Sequence, residues 1–129
     1  MTVKRFEELI VWQRSKELTK LLYSYTQKGL FQKDFGLKDQ MQRATVSVMS
    51  NIAEGFGRGG NKEFIQYLFV AKGSLYEVQS LLHVAADQNY IDKSEFQVAY
   101  DKANEILRLI VSFIKGMKTS AVKGLKTST

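Results

Sequence analysis

Arg43-Ala44-Thr45-Val46-Ser47-Val48-Met49-Ser50-Asn51-Ile52-Ala53-Glu54-Gly55-Phe56-Gly57-Arg58 decides the fold, because it sets a polar file beside an apolar one on one helix. Gln40, Arg43, Ser47, Asn51, Glu54 and Arg58 recur at steps of three and four and share a face. Leu37, Met41, Ala44, Val48 and Ile52 recur at the same steps on the neighbouring face, which is the core-facing stripe. A helix that packs on one side and offers donors and acceptors on another suits binding or assembly better than catalysis.

The same periodicity extends outward to four helices. The first is expected over about residues 6–27, with Val11, Ser15, Leu18, Leu22 and Tyr25 on its stripe, and the second over 36–56. The third, over 62–87, carries Phe64, Leu68, Ala71, Leu75, Val78, Leu82 and Ala85, with Asn61 as its N-cap. The fourth, over 93–115, carries Phe96, Ala99, Ala103, Ile106, Ile110 and Phe113 behind an Asp92-Lys93-Ser94-Glu95 capping box. The chain contains no proline, so long uninterrupted helices are favoured. Short linkers between long helices predict an all-α, antiparallel up-down-up-down four-helix bundle in one domain, residues 1–116, followed by a basic flexible tail, 117–129.

Composition limits the chemistry. With no cysteine there are no disulfides or thiolate metal sites, and with one histidine no two-histidine metal site forms within a chain. No Glu-x-x-His pair exists to build a di-iron bundle, so neither cofactor nor metal is expected. His83, in the apolar run Leu81-Leu82-His83-Val84-Ala85, is read as a partly buried structural residue. The loop Gly55-Phe56-Gly57-Arg58-Gly59-Gly60 lacks the Gly-Lys-Ser/Thr ending of a phosphate loop and follows a helix where a dinucleotide fingerprint follows a strand. It is read as a flexible turn, and the chain as non-enzymatic with no small-molecule substrate. No apolar run reaches the roughly 18 residues of a membrane span, and the charged start resembles no signal peptide; a cytoplasmic protein is expected.

Two surfaces carry open alternatives. Ile65, Phe69 and Tyr76 on the third helix, and Leu107, Val111 and Ile114 on the fourth, lie off the main stripes. They are either a wide core-facing face or a subunit interface, and the second reading predicts a homo-oligomer. The polar file either bridges helices or subunits or contacts RNA phosphates through Arg43 and Arg58. Charge does not choose: the net is +6, but residues 115–129 supply Lys115, Lys118, Lys123 and Lys126 without an acid, leaving 15 basic against 13 acidic residues. That segment is either a solvated tail or one that tracks phosphates.

The chain resembles the four-helix-bundle family encoded in intervening sequences of bacterial 23S ribosomal RNA genes. The resemblance rests on Phe6-Glu7-Glu8-Leu9-Ile10-Val11-Trp12-Gln13, then Leu37, Gln40, Arg43-Ala44, Ser47, Asn51-Ile52-Ala53-Glu54-Gly55 and Arg58. It continues through Glu63-Phe64, Tyr67-Leu68, Ala71 and Gly73-Ser74-Leu75-Tyr76-Glu77. The chain departs from the family pattern in lacking a proline between its first two helices and in its extension from Met117. The resemblance implies homopentameric rings with RNA association. Similarity to the accessory protein of diversity-generating retroelements implies RNA and a reverse transcriptase as partners. A protein-directed adaptor ring with no nucleic-acid role is the alternative.

Overall fold

A computed structural model describes residues 3–119. A 3-10 turn over Phe6–Glu8 precedes five helices: α1 (Ile10–Thr26), the short α2 (Gly29–Lys33), α3 (Phe35–Gly57), α4 (Asn61–Asp87) and α5 (Lys93–Thr119). The four long ones pack in a closed cycle, α1 on α3, α3 on α4, α4 on α5 and α5 on α1. Each contact is antiparallel. Thr19 meets Thr45 and Thr26 meets Gln42 between α1 and α3, and Ser47 meets Ser74 while Glu54 meets Tyr67 between α3 and α4. Gln79 meets Asn104 and Phe64 meets Phe113 between α4 and α5, and Tyr25 meets Glu95 between α1 and α5. The expected up-down-up-down bundle is what forms.

The core is built mainly on the stripes read from the sequence, with Phe96 and Phe113 only partly buried and Phe31, Leu81, Ile91 and Met117 added. Leu18, Leu22, Met41, Val48, Ile52, Phe64, Leu68, Leu75, Leu82, Ile106 and Ile110 are wholly or almost wholly buried. Each such side chain removed from water contributes about 1.5–3 kcal/mol, so these stripes dominate the favourable side of folding.

Several boundaries differ from the sequence reading, each for a local reason. Helix α1 begins at Ile10 because Leu9 is extended (φ −75°, ψ 126°), which separates the Phe6–Glu8 turn from it. The first linker contains α2, whose Phe31 is fully buried and stacks on Tyr90 at 5.2 Å. The Tyr90 hydroxyl donates to Asp34 Oδ2 (3.0 Å), while Asp34 Oδ1 accepts from the Leu37 amide (3.1 Å) and caps α3. One carboxylate thus ties the start of α3 to the end of α4. That end closes with Asn89 at φ 61°, the Tyr90 amide reaching Ala85 O (2.9 Å) and the Asn89 amide reaching Ala86 O (3.0 Å).

Helix α3 runs through Gly57, so Gly55 belongs to the helix and not to a loop. The remaining turn is short and uses Gly59 at φ 96°, a value natural only for glycine. Gly60, not Asn61, is the N-cap of α4. Its extended backbone (φ −120°, ψ 151°) presents the carbonyl that accepts from Phe64 N, and Asn61 falls inside the first turn. The Asp92/Glu95 capping box forms as expected, reciprocally, at 2.9 and 2.7 Å. Helix α5 continues to Thr119 because Ile114 and Met117 keep its apolar face buried, so the expected domain boundary at 116/117 falls inside the helix.

At Gly55, α3 passes close against α4. A Cβ there would lie 2.5 Å from Tyr67 Cβ and 3.0 Å from Phe64 Cδ1. Gly55→Ala should therefore destabilise the protein by about 1–3 kcal/mol, the usual effect of overpacking, despite alanine's better helix propensity. Urea unfolding of the two proteins measures this.

Tyr25 supplies a second check. Its hydroxyl donates to Glu95 O at 2.9 Å, and its pKa is pushed up to about 12 by burial, then by Glu95 and Asp92. An unfolded tyrosine titrates near pH 10. The folded pKa is raised, so the contribution is complete below about pH 10 and is lost as pH rises through the folded value. Tyr25→Phe should lower stability by about 1 kcal/mol at neutral pH and show a shallower alkaline loss. Unfolding midpoints measured from pH 8 upward distinguish the two.

Candidate functional site

The polar file of α3 divides into three parts. At its start, Gln40 and Arg43 are exposed, and Arg43 Nε bonds Asp39 Oδ2 at 2.8 Å, which raises the arginine pKa further. In the middle, Asn51 Nδ2 donates to Ser47 O (2.8 Å) and Ser47 Oγ (3.0 Å), and Ser47 Oγ shares a 2.9 Å hydrogen bond with Ser74 Oγ of α4. At the end, Arg58 Nη2 donates to Glu54 Oε2 (3.1 Å) and to the Tyr67 hydroxyl (2.7 Å). Tyr67 in turn lies 3.3 Å from Glu54 Oε2, and the guanidinium sits 5.3 Å from its ring centroid. The Glu54 hydrogen bond is the main reason the Arg58 pKa is raised.

The structure thus brings Ser47, Asn51, Glu54 and Arg58 onto the α3/α4 seam and leaves Gln40 and Arg43 apart on the solvent face. Both arginines are paired with an acid four residues away. Such exposed pairs stabilise little, but a phosphate would have to displace a carboxylate at each. Tyr67 and Ser74 complete the seam, and neither was singled out in the sequence reading of the polar file. Only the α3/α4 register, set at Gly55, brings them to it.

A second surface lies along the outer seam of α4 and α5. Phe69, Lys72, Val111, Ile114, Lys115 and Lys118 line an open groove of about 280 Å³. It meets, at Val111, a further depression lined by Leu107, Arg108 and Ser112. Phe69 is 48% exposed, Tyr76 54% and Val111 46%. Lys72 Nζ and Lys118 Nζ stand 5.9 and 5.8 Å from the Phe69 ring centroid. Among the described residues no carboxylate pairs with Lys72, Arg108, Lys115 or Lys118. None lines either depression, and residues 106–119 contain no acid.

The off-stripe apolar residues divide between the two sequence readings. Leu107 and Ile114 are buried and Ile65 packs against the core, which is the wide stripe; Phe69, Tyr76 and Val111 remain exposed. Lys115 and Lys118, expected at the root of a flexible tail, ride on the last turns of α5. Lys123 and Lys126 lie outside the described residues. Lys72 and Arg108 were missed because each sits at a position that reads as ordinary helix surface until α4 and α5 are placed side by side.

His83 is exposed, where the sequence predicted partial burial. Its ring packs edge-on against Phe96 (4.9 Å) and Tyr100 (5.8 Å) over the α4/α5 seam, so Leu81, Leu82 and Ala85 of the apolar run are buried while His83 and Val84 are not. Among the described residues no cluster of three or more histidine or acidic side chains could hold a metal ion. No helix among them is long and apolar enough to cross a membrane.

Comparison with known proteins follows from this architecture. Residues 7–112 match the model of the 23S rRNA-intervening sequence protein family. A crystal structure from Bacteroides thetaiotaomicron, of a protein with unknown function from the S23 ribosomal protein family, is 25% identical and superimposes with a TM-score of 0.75. The match covers 82% of this chain and 99% of that one. No curated protein matches. With the family match spanning nearly all of the described bundle, the chain belongs to the 23S rRNA-intervening sequence protein family.

Proposed function

We propose that the protein is a non-enzymatic, cytoplasmic, homo-oligomeric scaffold whose assembled bundles associate with RNA or a ribonucleoprotein. One observation carries the oligomer: the outward face of α4, alongside polar Gln66, Glu77 and Ser80, holds two exposed valines and a mid-helix glycine from which a monomer gains nothing. Val70 is 52% exposed and Val84 43%. Between them Gly73 lies in mid-helix, and a Cβ there would meet nothing within 4 Å. A glycine in a helix interior costs about 0.5–1 kcal/mol against alanine, and no contact among the described residues requires it. Close approach of a second molecule offsets that cost. Exposed apolar side chains beside it are typical of contact surfaces.

The family resemblance implies five subunits. The RNA reading draws on the carboxylate-free basic seam of α4 and α5 and on the lysines that continue beyond it.

Sedimentation of the full chain at micromolar concentration tests the assembly. The expected result is a multimer that Val70→Glu/Val84→Glu converts to monomer with helical content unchanged, since both side chains face water in the single chain. A strictly monomeric wild-type mass contradicts the proposal.

A further inference from the structure

We infer that the α4/α5 seam is a site for single-stranded nucleic acid, with unpaired bases stacking on Phe69 and Tyr76 and phosphates held by Lys72, Arg108, Lys115 and Lys118. This rests on the RNA reading above and names the site and the form of nucleic acid it takes. Three observations support it. The seam joins exposed aromatic rings to cations that no carboxylate neutralises, the pairing of features that strand-tracking grooves use. Phe69 and Tyr76 are two turns apart on one helix, roughly 10 Å at 1.5 Å per residue, so they face the same strand. The groove beside Phe69 has an apolar floor, formed with Val111 and Ile114, and it takes base faces and not a solvated duplex backbone.

The arginines of α3 do not compete for this role. Arg43 and Arg58 are already engaged by Asp39, Glu54 and Tyr67. Lys72 and Lys118 both flank the Phe69 ring, at 5.9 and 5.8 Å from its centroid, so a base stacked on that ring brings its phosphates within reach of both cations. A duplex hides its base faces, so a site built on exposed rings discriminates against it.

The test uses the full chain and fluorescein-labelled 12-nucleotide oligomers, single-stranded RNA, single-stranded DNA and duplex RNA, by anisotropy across a salt series. Wild-type protein is expected to bind single strands at least tenfold more tightly than duplex. Lys72→Ala/Lys115→Ala/Lys118→Ala should lower affinity more than tenfold and reduce the log–log salt slope by about 2, the value for three lost phosphate contacts on a single strand. Phe69→Leu, which keeps the apolar contact and removes the ring, should cost about tenfold with the salt slope unchanged. Arg43→Ala/Arg58→Ala should bind as wild type does.

If the wild-type chain binds and the triple lysine variant binds equally well, the site is wrong while the RNA reading stands. Loss of binding through Lys123→Ala/Lys126→Ala alone also overturns the site. Preference for duplex overturns the stacking role. Failure of the wild type to bind any of the three overturns both the site and the RNA reading, and leaves the oligomer to its own test. Equal binding of RNA and DNA single strands supports the site and places recognition in bases and phosphates; a strong RNA preference supports it with added contact to the 2′-hydroxyl.

Discussion

The close approach of α3 and α4 at Gly55 is the constraint on which the rest depends. With no Cβ on Gly55, Tyr67 and Phe64 seat directly against the α3 backbone. That contact fixes the register in which Ser47 reaches Ser74 and Arg58 reaches Tyr67. A one-residue slip would turn Tyr67 away from Glu54 and leave the half-buried serine hydroxyls to find other partners, at the usual cost of a buried polar group left unmatched. The polar file of α3 is therefore largely spent on its neighbour helix. What α4 has left to offer another molecule lies on its other flanks.

Much of the bundle was legible in the sequence, for a physical reason. The stripes of Leu37, Met41, Ala44, Val48 and Ile52, and of Phe64, Leu68, Ala71 and Leu75, recur at helical spacing with no proline to interrupt them, and burial follows that period. Of the two local capping signals, the Asp92/Glu95 box read correctly, while the cap of α4 fell on Gly60 one residue before Asn61. Boundaries set by distant contacts did not. Helix α2 exists because Phe31 finds Tyr90, 59 positions later in the chain, and α5 reaches Thr119 because Met117 finds the core. His83 shows the same limit: its apolar neighbours suggested burial, but its angular position on α4 turns the ring outward over Phe96 and Tyr100.

The candidate surface was legible only in pieces. Phe69, Tyr76 and Val111 stood out as apolar residues off their stripes, and Lys115 and Lys118 as part of an acid-free run, but nothing in one dimension joins them. Antiparallel pairing of α4 with α5 does, because it sets residues near 70 beside residues near 115. Arg43 and Arg58 are less available to a phosphate. Each has an acid four residues earlier on α3, and the helix closes both pairs. The cations of the α4/α5 seam thus stand without a carboxylate beside exposed aromatic rings, whereas Arg58 is paired with Glu54 where hydroxyls and amides bridge α3 and α4.

That division of labour between the two flanks of α4 is the central claim, and hydrogen exchange of the full chain with and without a single-stranded oligonucleotide tests it most directly. Slowed exchange is expected in peptides spanning residues 65–80 and 106–119, with residues 40–58 unchanged. Slowed exchange confined to residues 40–58 would contradict that claim and return the contact to the polar file of α3.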